Sequence, residues 1–319
     1  MFQVYFIFFK EIVMIKLGII GLSEGNGHPF SWSAIINGRF NPEAIEGCGY
    51  DLIPRYLAAN RDTLGISGAA VTHIWTQEKS LSQKVAAFAG IPNIVDKITD
   101  LIGNVDAVIL ARDDAENHRK MAEPFINADI PIFIDKPLAV NADDLQYFKK
   151  EAVKGKIIMS CSSVRYAAEL TGVKQNLHTF GQLEYISATG KKDWLKYGVH
   201  MLEGMCAFLD DEKITRVQHV SRTHGRDIVL LQFASGMPAT LQIFYDISPT
   251  FQMSVFGRSN WALIEYMNWY TMFRDTLINF IRSVGEGKPR LEFSKTENII
   301  RAIIGSSESL KQDGKIINI

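Results

Sequence analysis

Cysteine is scarce in this sequence, and its few cysteines are poorly placed for a disulfide framework or a metal site. The 319 residues contain three, Cys48, Cys161 and Cys206, which are odd in number and far apart. Such usage is typical of a reducing compartment, and no two of the three have the spacing of metal ligands. We therefore expect a cytoplasmic protein that holds neither a disulfide nor a metal.

An excess of charge of one sign is missing as well. Lysine and arginine number 34 against 35 aspartates and glutamates, which leaves a net charge of -1. Without an overall field to attract phosphates, neither nucleic acid nor an anionic membrane is expected as a partner. The hydrophobic share of 47% and the charged share of 22% are typical of a globular chain, and the length leaves room for two domains.

The N-terminus also lacks a long hydrophobic run. Residues 4–9 are apolar but too few to span a bilayer, and no basic stretch precedes them as it would in a signal peptide. We interpret residues 1–13 as an extension ahead of a natural start at Met14. The alternative is an element that docks on a partner subunit.

Short apolar runs alternate with helical patterns over residues 14–137. The runs predict strands at 15–20, 69–75, 107–111 and 130–135, and the helical spacing predicts helices at 81–89 and 116–127. Continuous apolar strands separated by helices indicate a parallel sheet covered on both faces. We expect a doubly wound, dinucleotide-binding Rossmann domain here.

Residues 138–319 show a different pattern. Strands are predicted at 157–164, 183–189, 214–220, 228–233, 239–245 and 252–256, and helices at 198–209, 271–284 and 295–312. Consecutive strands indicate an α+β domain with a large, mainly antiparallel open sheet. One face of this sheet has no predicted helix to cover it, so we expect a substrate-binding domain that also forms a homo-oligomer, either a dimer or a tetramer.

A glycine-rich turn follows the first predicted strand and includes Gly21, Ser23, Gly25 and Asn26. Ser23 and Asn26 stand where the G-x-G-x-x-G spacing requires glycine, but serine and asparagine are well tolerated in turns. Backbone N–H groups at this point favour binding of a cofactor pyrophosphate. The alternative is a tight strand-to-helix turn without a ligand.

The residues that end two other predicted strands also bear on a cofactor. Asp135 and Lys136 follow the strand at 130–135, where a partly desolvated amine can act as an acid, a base or a hydrogen-bond donor. The strand at 69–75 ends in Trp75 and Thr76, without the acid that usually holds the ribose of NAD. Both NAD and NADP remain open, and the missing acid favours NADP.

These features occur in an order that resembles the glucose-fructose oxidoreductase / inositol dehydrogenase (Gfo/Idh/MocA) family. The shared features are the strand and glycine-rich turn, then Asp135-Lys136-Pro137, then Tyr197-Gly198-Val199-His200 in a second domain. The resemblance extends from residue 15 to the C-terminus. It implies NAD(P)-dependent hydride transfer to or from a hydroxyl or keto carbon of a sugar, sugar acid or nucleotide sugar.

The residue patterns and the resemblance together give three sets of candidate residues. The catalytic set is Lys136, His200 and Lys196. The cofactor-binding set is Gly21, Ser23, Gly25, Asn26, Trp75, Thr76, Arg112, Asp113, His118, Asp135, Lys136 and Arg165. The substrate-binding set is Lys136, Tyr166, Asp193, Trp194, Lys196 and His200.

One departure from the family bears on the chemistry. Family dehydrogenases commonly carry Asp four residues before the histidine, where this chain has Lys196. A second positive charge beside Lys136 predicts an anionic substrate group. The departure also keeps two alternatives open: an NAD-retaining enzyme that cleaves glycosidic bonds on the same fold, and a non-catalytic dinucleotide-binding subunit.

Overall fold

The computed structural model describes residues 14–221 and 223–319, so the predicted extension at residues 1–13 lies outside the described residues. Two sheets organise the chain. The first contains β1 (Ile15–Ile20), β2 (Ala69–Trp75), β3 (Asn93–Ile94), β4 (Ala107–Leu110), β5 (Ile132–Ile134) and β6 (Ile158–Met159). The second contains β7 (Leu183–Lys191), β8 (Ile214–His219), β9 (Arg226–Phe233), β10 (Pro238–Phe244), β11 (Phe251–Gly257), β12 (Trp261–Glu265) and β13 (Ile317–Asn318).

The first sheet is entirely parallel and has the strand order β3-β2-β1-β4-β5-β6. This is the order of a Rossmann fold, in which the chain reverses direction across the sheet beside β1 and leaves a crevice at the carboxyl ends of the strands. Every residue of β4 and β5 is buried, as expected for strands covered on both faces. The predicted doubly wound domain is therefore confirmed.

The helices cover both sheets. They are α1 (His28–Asn37), α2 (Leu52–Ala59), α3 (Lys79–Ala89), α4 (His118–Asn127), α5 (Ala142–Val153), α6 (Ala168–Lys174), α7 (Val199–Phe208), α8 (Trp269–Glu286) and α9 (Phe293–Lys311). Helix α8 follows the second sheet but returns to the first core, where the ring of Phe280 lies 5.7 Å from that of Phe133. None of the helices within the described residues is long and apolar enough to cross a membrane.

The second sheet has the order β12-β11-β7-β10-β9-β8-β13 and is antiparallel except where β7 and β10 pair in parallel. Its large, mainly antiparallel character confirms the predicted fold class. The short strands β12 and β13 were not predicted. β12 follows a turn at residues 257–260, and β13 contains two residues, which is too short to show an alternating pattern.

The predicted strand at 157–164 was wrong in both its length and its sheet. It contains only Ile158–Met159, which pairs in parallel with β5 and forms the edge of the first sheet. Beyond it the polar residues 160–163 leave the strand and begin a 3-10 turn. The chain leaves the first sheet only after β6, later than the predicted domain boundary between residues 137 and 138.

Candidate active site

The carboxyl ends of β1, β4 and β5 lie side by side and bring the glycine-rich turn next to Asp113 and Asp135. The Ser23 hydroxyl donates to Oδ1 of Asp113 at 2.7 Å, and the Asp113 backbone N–H donates back to Ser23 Oγ at 3.1 Å. The Asn26 amide donates to Oδ2 of Asp135 at 2.9 Å. Ser23 and Asn26, which replace the expected glycines, thus tie the turn to the two neighbouring strands.

The turn itself fits a dinucleotide pyrophosphate. Gly25 has a φ of +74°, and a Cβ built there meets nothing within 4 Å, so the turn is open in front of α1. Helix α1 begins after Gly27 with no acid in its first turn, which suits an anion at its N-terminus, and the Asn26 side chain accepts from the His28 backbone N–H at 2.9 Å. At Gly21 a Cβ would lie 2.3 Å from Pro29 Cγ, so close packing of strand and helix requires glycine there.

Asp135 is a buried carboxylate at the centre of this region. Its Oδ2 lies 2.6 Å from Nδ1 of His28, and its Oδ1 accepts from the backbone N–H of Lys136 at 2.8 Å. Burial opposes ionisation, but the charge and hydrogen bond of His28, the Lys136 ammonium and the Asn26 amide together lower the pKa of Asp135 to about 2. The carboxylate therefore holds the imidazole of His28 and the backbone of Lys136 in place.

Asp113 faces two ammonium groups. Nζ of Lys196 lies 3.1 Å from its Oδ1, and Nζ of Lys136 lies 3.8 Å from its Oδ2. Partial burial of Lys196 favours its neutral form, but the charge and hydrogen bond of Asp113 outweigh this and raise the lysine's pKa. Lys196 is therefore an ion-pair partner and does not supply the unpaired second positive charge expected from the sequence.

His200 lies in the first turn of α7, directly after a π-helical turn at Trp194–Gly198. Its Nδ1 is 2.6 Å from the hydroxyl oxygen of Ser162, which leaves Nε2 as the nitrogen available to a ligand. Burial lowers the pKa of His200 well below its usual value, and the nearby charge of Lys136 acts in the same direction. The imidazole is therefore neutral near pH 7 and able to accept a proton.

Lys136 and His200, which are distant in sequence, line the same cavity of about 710 Å³. One wall is aromatic and includes Phe251 and Trp269, whose ring centres are 5.0 Å apart. The His200 ring packs against that of Phe251 at 5.4 Å. The cavity thus combines a few polar groups at one end with an extended apolar wall, as is usual for small-molecule sites.

A buried ion pair holds the Ser162 segment, which in turn contacts His200. Nε of Arg165 donates to Oε1 of Glu203, and its guanidinium also lies 2.7 Å from Asp211. The other oxygen of Glu203 accepts from the backbone N–H of Ser162 at 3.1 Å. Arg165 was predicted to bind the cofactor, but its guanidinium is ion-paired inside the protein and acts through Glu203 on the Ser162 segment.

Three other predicted residues lie in the core and do not line the cavity. Trp194 is 6% exposed and packs among the side chains of the second sheet. Tyr166 packs against the first core, and burial raises its pKa. His118 is fully buried, with its ring nitrogens 2.8 Å and 3.1 Å from the carbonyl oxygens of Arg112 and Leu138. We withdraw Trp194 and Tyr166 from the substrate-binding set.

Other predicted residues stabilise the loops at the sheet edge. Arg112 forms two hydrogen bonds with Asp114 and donates to the Leu22 carbonyl at 2.9 Å. Asp193 begins the π-helical turn and accepts from the backbone N–H of Lys196 at 2.9 Å. Neither Arg112 nor Asp193 lines the cavity that contains Lys136.

The end of β2 differs from what a 2′-phosphate site would need. Thr76 is buried, and its hydroxyl donates to the carbonyl of Glu78 at 2.6 Å. The indole N–H of Trp75 donates to the Asp96 carbonyl at 3.2 Å. Lys79, which follows β2, pairs with the Asp96 carboxylate at 2.9 Å, and Arg112 donates to Oε1 of Gln77 at 3.1 Å. Thr76 therefore completes a turn and is not available to a ligand.

Most residues that line the cavity were missing from the candidate sets, among them His28, Ser162, Lys192 and Tyr197. His28 follows the glycine-rich turn directly, and this position was a detectable signal. Ser162 follows a short apolar run, and Tyr197 directly precedes Gly198 in the histidine motif. Lys192 gave no signal, because its position depends on the backbone conformation at the end of β7.

Comparisons with known proteins agree with this geometry. Residues 44–162 match the profile of an oxidoreductase family with an NAD-binding Rossmann fold. A segment of 108 residues is 33% identical to inositol 2-dehydrogenase 1 of Saccharopolyspora erythraea. That match spans 32% of this chain and 32% of the relative, about a third of each.

Solved structures resemble the chain over almost its full length. A myo-inositol dehydrogenase from Lactobacillus casei, in complex with NAD(H) and myo-inositol, has a TM-score of 0.75 at 14% identity, covering 96% of this chain and 97% of that one. A probable dehydrogenase from Thermotoga maritima has a TM-score of 0.72 at 15% identity, covering 95% and 98%. At such identities the likeness shows the fold.

The fold combines a parallel and a mainly antiparallel sheet, with a cavity at the carboxyl edge of the parallel sheet, and residues 44–162 match an NAD-binding Rossmann fold. The profile match and the inositol dehydrogenase relative each cover less than half of the chain, and the solved structures share its fold. Residues 44–162 are thus similar to the Gfo/Idh/MocA family of oxidoreductases.

Proposed function

We propose that this protein is an NAD-dependent oxidoreductase that transfers hydride to or from a hydroxyl or keto carbon of a sugar-like polyol. The observation that supports it most directly is that Lys136 and His200 line one cavity beside the glycine-rich turn. A hydroxyl that gives up hydride from its carbon must also lose its proton, and this pair offers an acceptor and a cation for that step.

In the oxidation direction, His200 accepts the proton of the reacting hydroxyl. Its lowered pKa keeps the imidazole neutral, and when Nδ1–H donates to Ser162 Oγ the unprotonated nitrogen is Nε2. The Lys136 ammonium hydrogen-bonds to the developing alkoxide and stabilises its negative charge. Asp113 pairs with the Lys136 ammonium at 3.8 Å, and Asp135 fixes the backbone from which that side chain extends.

The cofactor, when bound, supplies the hydride acceptor or donor. Backbone N–H groups around Gly25 and the N-terminus of α1 would hold its pyrophosphate. We propose NAD as the preferred form, in place of the NADP favoured by the sequence. Thr76 is occupied by its own turn, Lys79 is paired, and the exposed carboxylate of Glu78 would repel a 2′-phosphate.

The substrate would bind with its ring against the aromatic wall. Phe251 and Trp269 offer apolar faces of the kind that the C–H faces of sugars and cyclitols contact, next to the polar end at His200. The inositol dehydrogenase relative and the inositol-bound neighbour support a polyol of this size. Lys196 no longer supports the anionic substrate expected from the sequence, because this lysine is paired with Asp113.

The test is a steady-state assay of reduced-nicotinamide absorbance with a panel of sugars, cyclitols and sugar acids, using NAD and NADP in parallel. Net cofactor reduction with one of them supports the proposal. Lys136→Met and His200→Asn are then each expected to lower kcat by about 10²–10⁴-fold. Glycoside cleavage without net reduction supports the NAD-retaining alternative, and cofactor binding with no reaction supports the non-catalytic subunit.

A homo-oligomer is part of the proposal. On the second sheet, Phe256, Trp261 and Leu263 are at least 38% exposed, and the rings of Phe256 and Trp261 stack at 6.4 Å. An apolar surface of this kind on a sheet favours burial against a second copy of the chain. Light scattering coupled to gel filtration measures the assembly, and Trp261→Lys is expected to shift it toward the monomer.

A further inference from the structure

Two adjacent lysines, Lys191 and Lys192, line the cavity and have no role in the proposed hydride transfer. Lys191 is the last residue of β7, and Lys192 follows it with a φ of +97°, in the left-handed region that non-glycine residues rarely adopt. In a regular strand, two consecutive side chains would lie on opposite faces of the sheet. This turn of the backbone instead lets both residues reach the same cavity. Non-glycine residues in this region occur often at ligand-binding positions.

Neither lysine has a carboxylate partner within the described part of the chain. Most cations near the site are paired: Lys136 and Lys196 with Asp113, and Arg165 with Glu203. Lys192 instead donates to the Tyr197 hydroxyl at 2.7 Å, which positions its ammonium without neutralising it. The acid that lines the same cavity is Glu265, which is exposed on β12 and lies in no ion pair with either lysine.

The position of Lys192 relative to the reacting groups is also defined. Its ammonium lies 4.7 Å from the centre of the Tyr197 ring, and the ammonium of Lys136 lies 5.5 Å from the same ring. The His200 ring is 5.2 Å from it. A molecule the size of a six-membered polyol can therefore have one hydroxyl at Lys136 and His200 while a substituent extends past Tyr197 to Lys192.

We propose that Lys191 and Lys192 form an anion-binding subsite, so that the substrate is a polyol with one carboxylate or phosphate group. A lysine ammonium binds such groups as a point charge, and a cavity with apolar walls strengthens this attraction by screening it less than water does. The proposal rests on the proposed hydride transfer for the position of the reacting hydroxyl. The attraction of an anion to the cavity is independent of it.

Isothermal titration in the presence and absence of NAD tests the subsite without requiring turnover. The probes are matched pairs: glucuronate against glucose for the carboxylate, and an inositol monophosphate against myo-inositol for the phosphate. We expect one anionic probe to bind at least tenfold more tightly than its neutral counterpart, which is the scale of a hydrogen bond to a charged group. The preference should weaken as salt is raised. Equal affinities within both pairs, or no binding of any probe, would overturn the proposal.

Lys192→Gly is the informative variant, because glycine adopts a φ of +97° without strain and the protein is therefore expected to fold. It should remove most of the preference for the anion, while Lys192→Arg retains it. Asp129→Gly is the matched control: Asp129 has a φ of +59°, and it does not line the cavity. It should bind like the unmodified protein, and an unchanged preference in Lys192→Gly would count against the subsite.

The two proposals fail in distinguishable ways. If anions bind selectively and no substrate is oxidised or reduced, hydride transfer is wrong and the subsite stands. If neutral polyols are oxidised as efficiently as their anionic counterparts, and Lys192→Gly changes neither reaction, the subsite is wrong and hydride transfer stands.

Discussion

The ammonium group of Lys196 lies 3.1 Å from the carboxylate of Asp113. Dehydrogenases of the Gfo/Idh/MocA family, which the sequence resembles, commonly carry an acid at the position of Lys196. In this chain Lys196 pairs instead with an acid that follows β4. Asp113 is 9% exposed and also lies 3.8 Å from Lys136. The site thus has the carboxylate of Asp113 beside its central lysine, in addition to that of Asp135.

The first prediction is that moving the carboxylate back to position 196 is tolerated better than removing it. Asp113→Asn leaves Lys136 and Lys196 unneutralised, and Lys196→Asp places two acids together, so each single variant should lose kcat/KM. The double variant has one carboxylate again and should be more active than either single one. The coupling between the positions is expected at about 0.5–3 kcal/mol. Effects that simply add would show that the pair does not act as a unit.

The second prediction concerns Asp135. Its pKa is lowered from 3.8 to about 2 on folding, so the ionised carboxylate stabilises the fold by about 2 kcal/mol above pH 4. This stability disappears as the pH falls through the pKa of the folded state, and roughly half of it should be gone at pH 3. Asp135→Asn removes the effect, so the gap in unfolding free energy between the two proteins should narrow from pH 6 to pH 3.

Urea unfolding at several pH values measures this gap. Asp96→Asn is the control, because the Asp96 carboxylate is exposed and pairs with an exposed Lys79. It should change stability by less than about 1 kcal/mol at every pH. A gap between Asp135→Asn and the unmodified protein that stays constant with pH would contradict the prediction.

The third prediction concerns the protonation of His200. Because burial and Lys136 lower its pKa well below 6.5, the imidazole should not titrate between about pH 6 and pH 8. Lys136→Met removes the neighbouring cation and should raise the pKa of His200. Carbon-13 NMR of labelled histidine measures the titration of His200 in the unmodified protein and in Lys136→Met, and His200→Gln assigns the signal. A His200 signal that titrates near 6.5 in the unmodified protein would show that the proton acceptor is not poised as proposed.

The strand bounds show how much local pattern alone can predict. The strands predicted at 15–20 and 69–75 coincide with β1 and β2, because each is a mostly apolar run that is followed by glycine or polar residues. Pairing between strands is not local. The run near Ile158 resembled a strand of the second sheet, and only its parallel register with β5 shows that it belongs to the first.

The candidate site also contains residues that local motifs predict and contacts that they do not. Lys136 and His200 were predicted because each stands in a short motif, and the structure places both at one cavity. The partner of Lys196 could not be predicted, since Asp113 is 83 residues away and no spacing rule joins them. The burial of Glu203 could not be predicted either: it is 2% exposed and bound to Arg165, because burial of a charge is acceptable where a second charge is within reach.

The fourth prediction follows from that buried pair. Glu203→Gln keeps the size of the side chain but leaves the Arg165 charge without its main partner, and losing one member of a buried ion pair typically costs roughly 3–5 kcal/mol. The surface pair of Glu184 and Arg258, 2.6 Å apart, provides a matched control. Glu184→Gln should cost less than about 1 kcal/mol, because both side chains are largely exposed.

The same variant should also affect the site through Ser162. Glu203 accepts from the Ser162 backbone N–H, and Ser162 Oγ contacts Nδ1 of His200, so a weaker acceptor at 203 loosens the group that orients the imidazole. We expect Glu203→Gln to lower kcat more than it raises KM, measured where the variant is fully folded. Urea unfolding and steady-state kinetics on one preparation separate the two effects. Loss of stability with an unchanged kcat would limit Glu203 to a structural role.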